Sequence, residues 1–168
     1  MLKPEVANTL NTQITFEFES AYIYLAMSLR CKTLGLDGAA TWFNVQYQEE
    51  MSHVDKFCNY MNMQGADIEL GAIGKPENKY KDLNEMFAAT LKHEQTITSC
   101  IHNLVQVARD NKDYSTEVFL QWYVIEQVEE ESNVSTIIDK LNMIGSNGSS
   151  LYMIDKELSE RVFVSNVK

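Results

Sequence analysis

Residues 39–61 read Ala-Ala-Thr-Trp-Phe-Asn-Val-Gln-Tyr-Gln-Glu-Glu-Met-Ser-His-Val-Asp-Lys-Phe-Cys-Asn-Tyr-Met. Taken in steps of three and four they give Ala39, Phe43, Gln46, Glu50, His53, Phe57 and Met61, the spacing of one face of an α-helix. That face is apolar at both ends and polar in the middle. The stretch predicts a long helix over 38–64, stopped near Gly65, with a carboxylate and an imidazole one turn apart on the side that should be buried.

The same pattern recurs on both sides. Upstream, Pro4 suits a first helical turn, and Val6, Leu10, Ile14, Glu17, Ala21, Tyr24 and Ser28 predict a helix over 4–33 that Leu34-Gly35 ends. Downstream, Asp82-Leu-Asn-Glu85 has capping-box spacing, and Leu83, Phe87, Thr90, Glu94, Ile97, Ile101, Leu104 and Ala108 predict a helix over 82–110. Thr116, Leu120, Tyr123, Gln127, Glu130, Val134, Ile137, Leu141 and Ile144 predict another over 114–144, closed by Gly145. A shorter repeat, Leu151, Ile154, Leu158 and Val162, predicts a fifth helix over 150–160, too short to persist unless it docks on the bundle or on another subunit.

The connections set the topology. Gly35–Gly38 and Asp110–Asp113 are short, so each joins antiparallel neighbours. Residues 65–82 contain Gly65, Gly71, Gly74 and Pro76 and have no sustained period. Extended at ~3.3 Å per residue, they can return along a helix ~40 Å long and leave the second and third long helices parallel. The expected fold is all-α: a four-helix bundle with one long crossover and a short fifth helix, built as a single domain over 1–168.

Composition narrows the function classes. The chain has 168 residues, 45% of them apolar, which is enough for a real core. Its formal charge of -10 repels nucleic acid and anionic lipid and attracts cations, although acidity also serves solubility alone. Cys31, Cys58 and Cys100 are odd in number and lack C-x-x-C spacing, so no disulfide framework, zinc site or rubredoxin-like site is indicated. Neither a signal-type segment nor a run of ~20 apolar residues is present, and the protein is expected in the cytoplasm with reduced thiols, without nucleic-acid or membrane partners.

Each long stripe turns polar near its middle: at Glu17, at Glu50 with His53, at Glu94, and at Gln127 with Glu130. Packed side by side, the helices bring these groups to one level. Buried carboxylates facing one another must take up protons, distort the bundle or bind cations, and four of them balance two divalent ions in formal charge. Oxygen ligands with one imidazole accept Fe²⁺, Mn²⁺ or Zn²⁺, and affinity alone does not choose among these metals. Glu49, Glu126 and Glu129 border the same level and serve either a third ion or a hydrated edge. Tyr24, one heptad after Glu17, donates a hydrogen bond to a ligand, supplies an electron or simply fills the core. Trp122 and Tyr123 read as packing, and His93 and His102 carry no assigned role.

The segments Tyr47-Gln-Glu-Glu-Met-Ser-His53, Phe119-Leu-Gln-Trp-Tyr-Val124, Glu126-Gln-Val-Glu-Glu-Glu131 and Leu151-Tyr-Met-Ile-Asp-Lys-Glu-Leu158 resemble bacterial non-haem ferritin, over residues 1 to about 160. The resemblance implies a first iron held by Glu17, Glu50 and His53, and a second held by Glu94 and Glu130 with Glu50 bridging. Gln127 would then hydrogen-bond within the centre, and Glu49, Glu126 and Glu129, with Glu130, would form a third site. It further implies ferroxidase activity, Fe²⁺ being oxidised to Fe³⁺ by dioxygen or hydrogen peroxide, with storage as a ferric oxide mineral in a homo-oligomeric shell of 24 subunits whose fifth helix lines the four-fold axis. Gln127-Val-Glu-Glu130 stands where bacterioferritins carry a second E-x-x-H, and although Met51 occupies the place of their haem ligand, haem is not expected. Two rival readings share the carboxylates: a small di-iron peroxidase or oxidase of rubrerythrin type, and a helical scaffold in which they are structural.

Overall fold

The computed structural model describes residues 2–145 and 148–164. Four long helices, α1 (Pro4–Thr33), α2 (Asp37–Met63), α3 (Leu83–Asp110) and α4 (Tyr114–Ile144), are followed by a short α5 (Gly148–Leu158). The pairs α1/α2 and α3/α4 pack along their lengths, α1 also packs on α3, and α5 rests on α2 and α4. Among the described residues there is no strand, and no helix is long and apolar enough to cross a membrane.

Local chemistry explains the helix ends. Gly35 (φ 72°) and Gly65 (φ 65°) take the left-handed conformation just past α1 and α2, where a side chain would be strained. Asp82 caps α3 by accepting from the Glu85 N–H at 2.9 Å, and the Glu85 carboxylate accepts in return from the Lys81 N–H at 2.8 Å, one residue before the position a capping box uses. Asp113 caps α4 through the Thr116 N–H and hydroxyl.

The crossover is tied to α1 along its course. The Glu69 N–H donates to the Asn11 side chain at 3.0 Å and the Gly71 N–H to Thr15 Oγ1 at 3.1 Å, while Arg30 Nε donates to the Tyr80 carbonyl at 2.8 Å. The connection therefore climbs from the start of α1 to its end. At the far end of α3, Lys3 Nζ donates to the Asn111 carbonyl and the Asn111 amide to Glu5, so α3 finishes where α1 begins. Thus α3 runs antiparallel to α1 and parallel to α2, the arrangement the long connection implies.

The core is divided in two. One apolar cluster gathers around Tyr24, Phe43, Phe87, Met86, Val134 and Leu141, and the other around Leu10, Ile14, Phe57, Ile101, Leu104 and Tyr123. Between them lies a layer of buried polar groups that includes Glu17, Gln46, Glu50, His53, Glu94, Gln127 and Glu130. Apolar burial on both sides holds the helices together, and it removes water from the layer between.

The fifth helix differs from its sequence expectation: it begins at Gly148 rather than 150 and ends at Leu158 rather than 160. Ser159 and Glu160 close a turn onto Asp155 and Glu157, so Val162 lies beyond the helix and is exposed. The expected link at 145–150 includes Ser146 and Asn147, which fall outside the described residues. Docking of α5 rests on Asp155, which accepts from the Gly38 N–H at 3.1 Å and the Ala39 N–H at 2.8 Å. The residue before α2, Leu36, makes no side-chain cap, so a carboxylate more than a hundred residues away caps α2 instead. Gly38 is required there, because a Cβ on it would lie 1.6 Å from the Asp155 carbonyl oxygen.

Asp155→Ala should destabilise this junction by ~1–2 kcal/mol, the usual value of an N-cap, and speed amide hydrogen exchange in α5 by about tenfold or more. Exchange in α5 that stays at the wild-type rate would show that Asp155 does not hold it.

Candidate metal centre

Three side chains from two helices meet in the buried layer. Glu17 on α1 and Glu50 and His53 on α2 place one ligand-type atom each within 4.8 Å of the others, and all three are buried. His53 Nδ1 lies 3.4 Å from a Glu17 carboxylate oxygen and 3.3 Å from one of Glu50. Two ligands each ~2.1 Å from one ion, at tetrahedral to octahedral angles, sit about 3.0–3.4 Å apart, so the trio fits a single transition-metal ion. Helical spacing sets Glu50 beside His53, and the α1/α2 pairing supplies Glu17.

Glu94 on α3 and Glu130 on α4 lie in the same layer but outside that trio. Glu94 accepts hydrogen bonds from the Tyr24 hydroxyl and, at 3.1 Å, from the Gln127 amide. Glu130 accepts from the Gln46 amide at 2.8 Å. Both oxygens of Glu94 and one of Glu130 are thus oriented by neighbours on other helices. The Tyr123 hydroxyl donates to the His53 carbonyl at 3.1 Å, tying α4 to α2 at this level.

The three bordering glutamates are less tightly grouped than that trio, although charge couples Glu49 to Glu126 and Glu129. Glu126 is half-buried with an oxygen 3.9 Å from His53 Nε2, Glu129 is exposed, and Glu49 is paired with Arg161. Among the residues given no role from the sequence, His93 Nε2 is 2.8 Å from the Ser20 hydroxyl, and its ring meets Tyr24 edge-on. Gln13 and Gln46 serve the centre without having been assigned to it: Gln13 donates to Glu17 at 2.7 Å. Each precedes a glutamate of its own stripe by one turn, and that spacing was the available signal. Arg161, beyond the last helix, carried none.

Without a metal, protons balance the charge. Burial pushes every carboxyl here up, but the partners divide them. On Glu17, hydrogen bonding and charge from His53, with the Gln13 amide, outweigh burial and hold the carboxyl below its usual value. On Glu50, burial wins over the same imidazole and raises the carboxyl well above the carboxylate range. One imidazolium neutralises one carboxylate, and Glu17, with its extra donor, is the one it serves. His53 itself is raised well above 6.5, since its bonds to Glu17 and Glu50 outweigh the burial that opposes its charge. Burial, with Coulomb repulsion from Glu17, raises Glu94 against its two donors. Glu130 is pushed up to about 8 by burial, reinforced by Glu94 and Glu49. Tyr24 is raised well above 10 by burial and the nearby carboxylates, so it stays a neutral donor to Glu94.

A divalent cation replaces those protons. Titration of the metal-free protein with Zn²⁺ near pH 7, followed by calorimetry in buffers of different ionisation enthalpy, should show protons released on binding and an affinity that rises with pH. The metal-free fold has the reverse dependence. Glu130, at about 8 when folded against 4.5 unfolded, contributes stability that is complete below pH 4.5 and lost as pH rises through about 8. His53, also raised, acts in the same direction. Denaturation at pH 5 and pH 8.5 should find metal-free protein less stable at the higher pH, with the loss recovered on adding Zn²⁺. Binding without proton release would contradict this charge balance.

Comparison with known proteins agrees with the geometry. The ferritin-like domain family matches residues 7–144. A probable bacterial non-heme ferritin-like protein of Haemophilus influenzae is 44% identical over 158 residues, covering 94% of this chain and 96% of that protein. A bacterial non-heme ferritin of Escherichia coli O6:H1 is 43% identical, covering 95% and 96%. An Archaeoglobus fulgidus ferritin engineered to a closed form superposes with a TM-score of 0.96 at 38% identity, covering 98% and 100%, and the open-pore ferritin of the same archaeon does so at 0.95, covering 96% and 99%. With α1 to α4 in this order, the long crossover and a buried Glu17–Glu50–His53 trio at mid-bundle, the chain belongs to the ferritin-like family and is similar to bacterial non-heme ferritins along nearly its whole length.

Proposed function

We propose that this chain is a single-domain iron-storage protein that oxidises Fe²⁺ at a two-iron centre and keeps the ferric product as hydrated oxide inside a cytoplasmic shell of 24 copies. The observation that carries this reading is the buried Glu17–Glu50–His53 trio, with Glu94 and Glu130 in the same water-poor layer. The first Fe²⁺ takes Glu17, Glu50 and His53, and the second takes Glu94 and Glu130, with Glu50 reaching both. Gln127 and Tyr24 orient Glu94 for this task. A third cation takes Glu49, Glu126 and Glu129 with Glu130.

The protein's part is to bind two cations close together, neutralise them and release the product. Each pair of Fe²⁺ gives up two electrons, which with two protons reduce dioxygen to hydrogen peroxide or hydrogen peroxide to water. The protons displaced from Glu50, Glu130 and His53 on binding are available for that reduction. Either dioxygen or hydrogen peroxide serves as the oxidant, and haem is not expected to take part.

The assembly reading rests on the described surface and on the relatives. Open pores and closed forms, as in the Archaeoglobus proteins, are properties of an enclosing assembly. This chain exposes Leu29 on α1, Leu70 on the crossover and Tyr152 and Met153 on α5, apolar side chains that a subunit contact would cover.

Adding Fe²⁺ in air should produce ferric absorbance faster than in buffer alone. Glu50→Ala and His53→Ala should each slow the fast phase by about tenfold or more, and Gln127→Ala should slow it less, as a group acting through Glu94. Sizing should give a particle near 460 kDa rather than a monomer or dimer of the 19.2-kDa chain. A particle of a few subunits with the same iron chemistry would favour a rubrerythrin-type oxidase. No rate above buffer would leave only the scaffold.

A further inference from the structure

The segment beyond α5 places a cation where the bordering glutamates should receive one. Arg161, three residues past the end of α5, pairs through Nη2 with Glu49 and donates from Nη1 to Gln46 Oε1 at 2.7 Å. Its Cζ sits 4.4 Å from the centre of the Trp42 ring. Trp42, Gln46 and Glu49 are successive positions of one stripe of α2, so the guanidinium lies along that stripe, partly shielded, with 19% of its side chain exposed.

The hydrogen bonds also fix Gln46. A guanidinium only donates, so Gln46 must turn its carbonyl to Arg161 and its amide to Glu130, where it donates at 2.8 Å. One arginine therefore engages Glu49 directly and Glu130 through Gln46. A cation shared by Glu49 and Glu130 needs both carboxylates turned toward it, and it would face a positive charge a few ångströms away. Asp155, by capping α2, keeps α5 and the turn that follows in register with Trp42 and Glu49.

We propose that Arg161 is a built-in counter-cation of the third position: its guanidinium occupies the Glu49 side of that position and must swing out before a third divalent ion binds. The inference rests on the three-cation reading of Glu49, Glu126, Glu129 and Glu130 given above. It makes third-site occupancy in this chain a competition between a tethered arginine and free Fe²⁺, and it makes Arg161 a residue that reaches the two-iron centre only indirectly, through Gln46 and Glu130.

The test is an anaerobic Fe²⁺ titration of the assembled protein by calorimetry, resolving the third equivalent per subunit from the first two. Arg161→Gln should raise the affinity of the third step by about tenfold or more, since it removes a unit charge at close range in a partly shielded site, should leave the first step alone, and should change the second, which uses Glu130, less than the third. Arg161→Lys, which keeps the charge, should stay near wild type, and Glu49→Gln placed on Arg161→Gln should abolish the gain. A third step that is unchanged or weaker in Arg161→Gln overturns the proposal. If Glu126→Gln still weakens that step, only the role of Arg161 has failed. If Glu126→Gln and Glu129→Gln change nothing and no variant shows a third step, the three-cation reading has failed with it.

Discussion

Everything at the centre of this protein follows from burying carboxylates in the middle of an apolar bundle. Glu17, Glu50, Glu94 and Glu130 are each no more than 3% exposed, and ionised carboxylates so placed cost far more than isolated hydrogen bonds return. The fold tolerates them because each is oriented by a donor and because protons offset the charge. Gln13, Gln46, Gln127 and Tyr24 supply donors, and His53 supplies the one internal cation in the layer. Among the described residues, no buried side-chain nitrogen or oxygen lacks a hydrogen-bond partner. The layer is consistent in its metal-free form, yet Glu50, Glu94 and Glu130 have raised carboxyls whose protons a cation would displace. Such a layer can bind a metal and let it go.

The rest of the architecture serves that layer. Two apolar clusters, one on each side, hold four helices against it while excluding water. The long crossover lets α2 and α3 run parallel, and its bonds to Asn11, Thr15 and Arg30 fix the path. The polar positions then arrive at one level from all four helices. Stacked rings of Phe57 and Tyr123, 4.1 Å apart, close the layer beneath His53, and Phe43 and Phe87 stack at 5.0 Å on the other side.

Much of this was legible in the sequence because helical periodicity is a strong signal when it runs for about thirty residues. The four stripes, the Asp82 cap of α3, the glycines that end α1 and α2 and the polar break in each stripe were readable from spacing alone, and the structure sets Glu17, Glu50 and His53 together as that spacing implies. What was not legible depends on contacts remote in the chain. Asp155 caps a helix that begins 118 positions earlier, and nothing around residue 155 announces it. Arg161 follows a helix whose stripe suggested continuation through Val162, whereas the chain turns at Ser159 and carries the guanidinium back to α2. Glu49, Glu126 and Glu129 border the layer as their spacing suggests, but spacing could not show that the first is already paired. Storage and the shell come from family likeness, since periodicity within one chain says nothing about how copies meet.

The central claim is that the buried layer is a two-cation site built from all four helices. Crystals of the protein soaked anaerobically with Fe²⁺, with anomalous scattering measured on both sides of the iron edge, test it most directly. The account predicts two strong peaks inside each subunit, one among Glu17, Glu50 and His53 and one between Glu94 and Glu130, with Glu50 reaching both. Iron found only at exposed acidic residues, with the Glu17–His53 contact intact and no peak between the two apolar clusters, would contradict it.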